Sequence, residues 1–245
     1  MSPRASPGAG PGAPAPVPGL VTVHLWGVPA RAVPAAVARM ALDRPLLRAS
    51  RARFWKLLGT GDGRTFTARD ADPLHWGLLA TWDDAAQAEA FESSPTARAW
   101  GRLADERLRV RLRPVASRGT WSGRTPFGAP RPRRADAAGP VASITRARIR
   151  PLKQLGFRRA VPPVSEDLHR VAGLRLAVGI GEAPVGLQGT FSLWSDAAAL
   201  QDFAHSRAAH TSVVRRTAEE GWYAEELFAR FAVVSVEGSH AGRRP

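Results

Sequence analysis

Six histidines and no cysteine set the chemistry open to this 245-residue chain. Without cysteine there are no disulfides, thiolate zinc sites, iron-sulfur clusters, thiol nucleophiles or thiolate-ligated haem. Two histidines, His205 and His210, open an arginine-rich helical stretch that ends in Trp222-Tyr223. Val213, Val214 and Thr217 follow His210 at helical spacing, so its ring shares the face expected to look inward. Two readings of that ring stay open: a core histidine bonded to a backbone carbonyl, or an axial ligand to a planar cofactor. His24, His75 and His169 have no second imidazole at metal-ligand spacing, and His240 lies in a polar tail. The chain lacks G-x-S-x-G, H-E-x-x-H and the P-loop. Gly59-Thr60-Gly61-Asp62-Gly63 and "VGIGEAPVG" do not have dinucleotide-binding spacing and read as strand ends and turns.

The elements that must position these residues come twice. "LVTVHLWGV", "FWKLLGTG", "HWGLLATW" and "RLRVRLRPV" read as strands, with helical segments after the first and the third. After a Gly/Pro/Arg-rich stretch the series resumes with "VASITRARI", "LRLAVGIG", "LQGTFSLW" and "LFARFAVVSV". Trp82, Asp84, Phe91 and Ser94 fall on Trp194, Asp196, Phe203 and Ser206 at one constant offset. At that offset Arg98 falls on His210, a permanent cation in one half against a potential ligand in the other. Ser94-Pro95 is an N-cap and first-turn proline; its counterpart starts a helix at Ser206.

Each half is thus a β-α-β-β-α-β unit, and two such sheets cover each other face to face. The predicted fold is α+β: tandem ferredoxin-like repeats forming a pseudo-dimeric α+β barrel. The expected boundaries are a disordered Pro/Gly/Ala arm over 1–19, a first half over 20–115, a connector over 116–140, a second half over 141–237 and a disordered tail over 238–245. In the connector, Trp121 and Phe127 are too apolar for a solvated linker and should be buried. Arg124 between them suits a carboxylate such as a haem propionate.

Net charge is +14, nearly all from arginine, yet no dense basic block interleaves with aromatics, so nucleic acid is not the expected partner. No apolar run reaches the roughly 20 residues of a membrane span. A cytoplasmic protein with peripheral attraction to an anionic membrane is expected.

"FWKLLGTG", "WGLLATWDD", "PVASRGTWSGRTPF", "ITRARIRP", "VGIGEAPV", "TFSLWSDAAAL" and "EGWYAEELFARF" together resemble the spheroidene monooxygenase family, the acyclic carotenoid 2-ketolases. The resemblance runs from about Val21 to Val234. It implies a haem b-dependent monooxygenase that uses molecular oxygen and electrons from a ferredoxin-type donor to oxidise an acyclic carotenoid. It further implies His210 as the iron ligand, Arg124 and Arg146 as cofactor-binding cations, and Phe54, Trp55, Trp76 and Trp121 as the lining of an apolar substrate pocket. A cofactor-free oxygenase of the same barrel class, with His210 as base, and a non-enzymatic haem- or isoprenoid-binding protein are the competing expectations.

Overall fold

The computed structural model describes residues 15–62, 68–133, 136, 139–153, 171–182, 189–206 and 222–245. In the first half, β1 is Leu20–Gly27, α1 Val33–Arg48, β2 Phe54–Gly61, β3 Ala71–Trp82, α2 Ala85–Glu92, α3 Pro95–Leu103 and β4 Glu106–Gly119. In the second, β5 is Val141–Ile149, β6 Leu174–Gly181, β7 Gly189–Trp194, α4 Ala197–Ser206 and β8 Tyr223–Gly238. Each half has the strand order 4-1-3-2 of a ferredoxin-like unit, and the eight strands close into one barrel, β1-β3-β2-β6-β7-β5-β8-β4. Two seams join the halves. The long one pairs β4 with β8 from Leu108–Gly238 to Gly119–Leu227; the short one centres on Thr60 opposite Ile180. Among the described residues no helix is long and apolar enough to cross a membrane.

Period-two alternation divides the side chains between two compartments. Val21, Val23, Leu25, Leu79, Val110, Ile144, Val178, Phe191, Ala229 and Phe231 point into the barrel and form its core. On the outer face of the first-half sheet, Trp26, Leu57, Trp76, Leu78 and Trp82 pack under the helices with Met40, Phe91 and Trp100. α3 starts as the sequence requires: the Ser94 hydroxyl accepts from Ala97 N, and Pro95 opens the first turn. Beneath α1, fully buried Asp43 accepts from Trp100 Nε1 at 2.8 Å and pairs with Arg39, so the charge is satisfied where it lies.

Residues 238–245, expected as a disordered tail, instead repeat a device found after β4. Gly119-Thr120-Trp121-Ser122-Gly123-Arg124 and Gly238-Ser239-His240-Ala241-Gly242-Arg243 have the same backbone course. Their glycines have φ of 86° and 70° in one copy and 95° and 74° in the other, with Ser122 at 54° and Ala241 at 50°. Trp121 and Arg124 form a two-way backbone bridge, as do His240 and Arg243. Each turn is held by a glutamate of the opposite half. Glu225 accepts from Gly123 N at 2.7 Å and Thr120 Oγ1 at 3.1 Å; Glu106 accepts from Gly242 N, Ala241 N and Ser239 Oγ, each at 2.8 Å. β4 also runs to Gly119, past the expected start of the connector at 116, because this pairing with β8 continues to Leu227.

Candidate functional site

At the end of the barrel where β4 leaves the sheet, four charged side chains take inward-facing positions: Lys56 on β2, Arg146 on β5, Glu182 just after β6 and Glu225 on β8. Arg146, only 3% exposed, pairs through NH2 with Glu182 at 2.9 Å and through NH1 with Glu225 at 2.6 Å. Lys56 pairs with Glu182 and donates to Ser122 Oγ at 2.6 Å. Trp121 closes the mouth, donating Nε1–H to Glu182 at 2.6 Å. Its ring lies under the Arg146 guanidinium at 5.2 Å and meets Phe54 edge-on at 5.7 Å.

Two cations and two carboxylates balance, and this lets them lie at the edge of an apolar core. Burial opposes ionisation of Glu225. The Gly123 amide and the Arg146 guanidinium outweigh it and hold the carboxyl at about 2. Glu182 is likewise held below the usual range: burial opposes this, but Lys56, Trp121 and Arg146 favour the anion. Both therefore stay ionised at neutral pH. The cluster is a brace for the mouth rather than a source of protons.

The second-half sheet differs from the first on its outer face. Register and the repeat place Ala147 where the first half has Trp26, Ala177 where it has Trp55, and Thr190 where it has Leu78. Thr145 is exposed where His24 is buried. Ser143 and Ser192 share a hydroxyl hydrogen bond at 2.8 Å, and Trp194 Nε1 donates to Ser192 Oγ at 2.9 Å. Among the described residues, Val141, Val171, Trp194 and Leu200 form a small apolar cluster at one end, with Phe203 of α4 against it. The described residues on this face are thus mostly small, alanine, serine and threonine, where the first half carries tryptophan, leucine and histidine.

His210 lies outside the described residues, beyond the end of α4. Of the expected site residues, Phe54, Trp121 and Arg146 meet at the barrel mouth, and Arg124 joins them. Its NH2 donates to Arg53 O at 3.0 Å, and its guanidinium lies 5.8 Å from the Phe54 ring centre. Trp55 and Trp76 face the other way, under the first-half helices, where Trp76 donates to Pro73 O at 2.9 Å. The four aromatics expected to line one pocket are thus divided by the sheet itself. Glu182 and Glu225, which organise the mouth, were not among the expected site residues. Their signal is the inward phase of the strands, which needs the closed barrel to be known.

A second cluster sits under the tail. His75 Nδ1 is 2.6 Å from Asp72 and its Nε2 is 3.4 Å from Glu106, while the His240 ring lies 4.5 Å from the His75 ring. The hydrogen bond to Asp72, helped by Glu106, raises the His75 pKa. Burial, then the neighbouring His75 charge, depresses that of His240 to about 4. Among the described residues no three His, Asp or Glu side chains converge as a metal site.

No family model matches the chain. An aldoxime dehydratase structure superimposes with a TM-score of 0.56 at 10% identity, covering 90% of this chain and 84% of that one. Fold and strand order define an α+β barrel built from two fused ferredoxin-like units. Spheroidene monooxygenase of Rhodobacter capsulatus is 37% identical over 215 residues, 87% of this chain and 89% of the relative. That of Rubrivivax gelatinosus is 39% identical over 202 residues, 82% and 76% of the two chains. The chain belongs to the spheroidene monooxygenase family and is an enzyme, a monooxygenase.

Proposed function

We propose that this monooxygenase depends on haem, and that it oxidises an apolar, carotenoid-like substrate with molecular oxygen and electrons from a ferredoxin-type donor. The family relation supports the substrate class, since the relatives carry spheroidene in their names. The observation that carries the cofactor is the outer face of the second-half sheet. Ala147, Ala177, Thr190 and Ser192 are small, which would suit the close approach of a planar macrocycle, and His210 follows in sequence the helix that packs at the end of this face. A cysteine-free chain leaves imidazole as the natural axial ligand.

When bound there, haem would supply the iron at which oxygen is activated. The chain's own part is to bind and orient. His210 would hold the group as a neutral imidazole, and the small sheet residues would pack its plane. Arg124 and Arg146, expected to meet the propionates, sit at the barrel mouth, and Arg146 is already matched by two carboxylates. The cofactor assignment therefore rests on His210 and the second-half face. A polyene offers almost no polar handles, so shape and aromatic contact must orient it. The excess of arginine suits an enzyme whose substrate resides in an anionic membrane.

The test is an absorption spectrum. Purified protein, or protein given haemin, should show a Soret band that is lost in His210→Ala while the circular dichroism is kept. A colourless chain that takes up no haemin overturns the reading.

A further inference from the structure

On the first half, a cavity of ≈ 630 Å3 opens between α3 and the outer faces of β1 and β4. His24 and Trp26 line it from β1, Arg107 and Arg109 from β4, and Arg98 and Arg102 from α3. The cations differ in how they are used. Arg109 pairs with Glu92 at 3.2 Å and Glu237 at 2.5 Å, and Arg107 donates to Gly101 O. Arg98 and Arg102, one helical turn apart, have no partner among the described residues. With Glu92 and Glu237 as the carboxylates lining the cavity against four arginines, the wall keeps two uncompensated positive charges. A cation in the last turn of a helix explains Arg102 alone, as a complement to the helix dipole. Nothing of that kind explains Arg98.

A buried polar atom faces the same question. The His24 ring, 4% exposed, is stacked on Trp26, and its Nε2 is 2.9 Å from Glu92. Its Nδ1 has no hydrogen-bond partner, although buried nitrogens ordinarily have one. Trp26 is itself sandwiched between His24 and Trp100, so neither of its faces is open for a ligand to stack on. Recognition here must be by charge and hydrogen bonding.

We propose that this groove is a binding site for an organic anion, a phosphate- or carboxylate-bearing molecule gripped by Arg98 and Arg102 above the His24 floor. Two guanidinium forks one turn apart match the oxygens of one such group. The cavity has the volume of an ordinary small-molecule site. The repeat gives the site its logic: Arg98 is the first-half counterpart of His210, so the duplicated unit carries this groove at the position where the other copy carries an imidazole. The same phosphate chemistry is offered by free small molecules and by the headgroups of anionic lipids.

Calorimetric titration of the full chain with phenyl phosphate and with benzoate, using phenol as the uncharged control, tests this. Binding of the anions but not of phenol is expected. It should weaken about tenfold or more in Arg98→Gln/Arg102→Gln and persist in Arg98→Lys/Arg102→Lys. Co-sedimentation with phosphatidylcholine vesicles, with and without phosphatidylglycerol, separates the sources: phosphatidylglycerol-dependent binding lost in the Gln pair assigns the site to a headgroup. Neither anion nor vesicle binding, or binding equal in wild type and the Gln pair, overturns the proposal. Both arginines are exposed, so the variants should keep the wild-type melting temperature. The outcome does not depend on whether haem binds.

Discussion

Glu106 and Glu225 are counterparts, and each holds the turn that leaves the last strand of the other half. Glu106 opens β4 yet binds the turn after β8; Glu225, near the start of β8, binds the turn after β4. The two halves are therefore clasped reciprocally across the β4–β8 seam, in addition to the backbone ladder.

Glu225→Gln should make this visible in acid. The carboxyl is held at about 2 against an ordinary 4.5, so its stabilisation is complete above about pH 4.5 and disappears as pH falls toward 2. The shift corresponds to about 3 kcal/mol at neutral pH. Urea unfolding of Glu225→Gln should show roughly that loss at pH 7 and a flatter dependence on pH between 4.5 and 2. Equal slopes for variant and wild type would refute the assignment.

The two histidines under the tail should pull in opposite directions. His75 is raised, so it stabilises the fold below pH 6.5, and that contribution is lost as pH rises through its folded value. His240 is depressed to about 4, so the unfolded chain takes up its proton first, and stability falls as pH drops from 6.5 toward 4. At pH 5, relative to pH 8, His240→Asn should be more stable than wild type by about 2 kcal/mol and His75→Asn less stable. Ring titration by NMR checks the same ordering directly.

Gly119 and Gly238 both lie at positive φ, and a Cβ on either would collide with a backbone carbonyl, that of Glu226 or of Arg107. Alanine at either position should cost about 2 kcal/mol or more, measured as a lower denaturant midpoint. A neutral outcome at both would mean that the clasps are not formed as described.

Trp121→Phe keeps an aromatic ring at the mouth and removes the bond from Nε1 to Glu182. The expected loss is about 1–3 kcal/mol, since an acceptor in the ion cluster loses its donor. Trp121→Ala should cost about 3–5 kcal/mol through the cavity it opens in the barrel core. Both are read from thermal or chemical unfolding.

How far the sequence displays all this depends on how locally each feature is encoded. β4 is legible because "RLRVRLRPV" has one wet and one dry face, and its arginines do point out while Leu108, Val110 and Leu112 point in. The start of α3 is legible because Ser94-Pro95 acts within one turn. Trp55 and Trp76 are harder. Strands such as "HWGLLATW" carry apolar residues on both faces, so alternation says which residues share a face but not which face meets the other half. Glu182 and Glu225 act through register between halves far apart in the chain. The tail reads as a short polar end when taken alone. Its match to Gly119–Arg124 is carried by backbone course, two glycines and the closing arginine, while the third residue changes from tryptophan to histidine.

That exchange of tryptophan for histidine would be forbidden in a barrel made from two copies of one gene product, where every substitution appears at both mouths at once. Joined in a single polypeptide, the two copies answer to selection separately. One mouth can keep its aromatic plug while the other acquires a titrating pair, and neither change has to be tolerated at its mirror position.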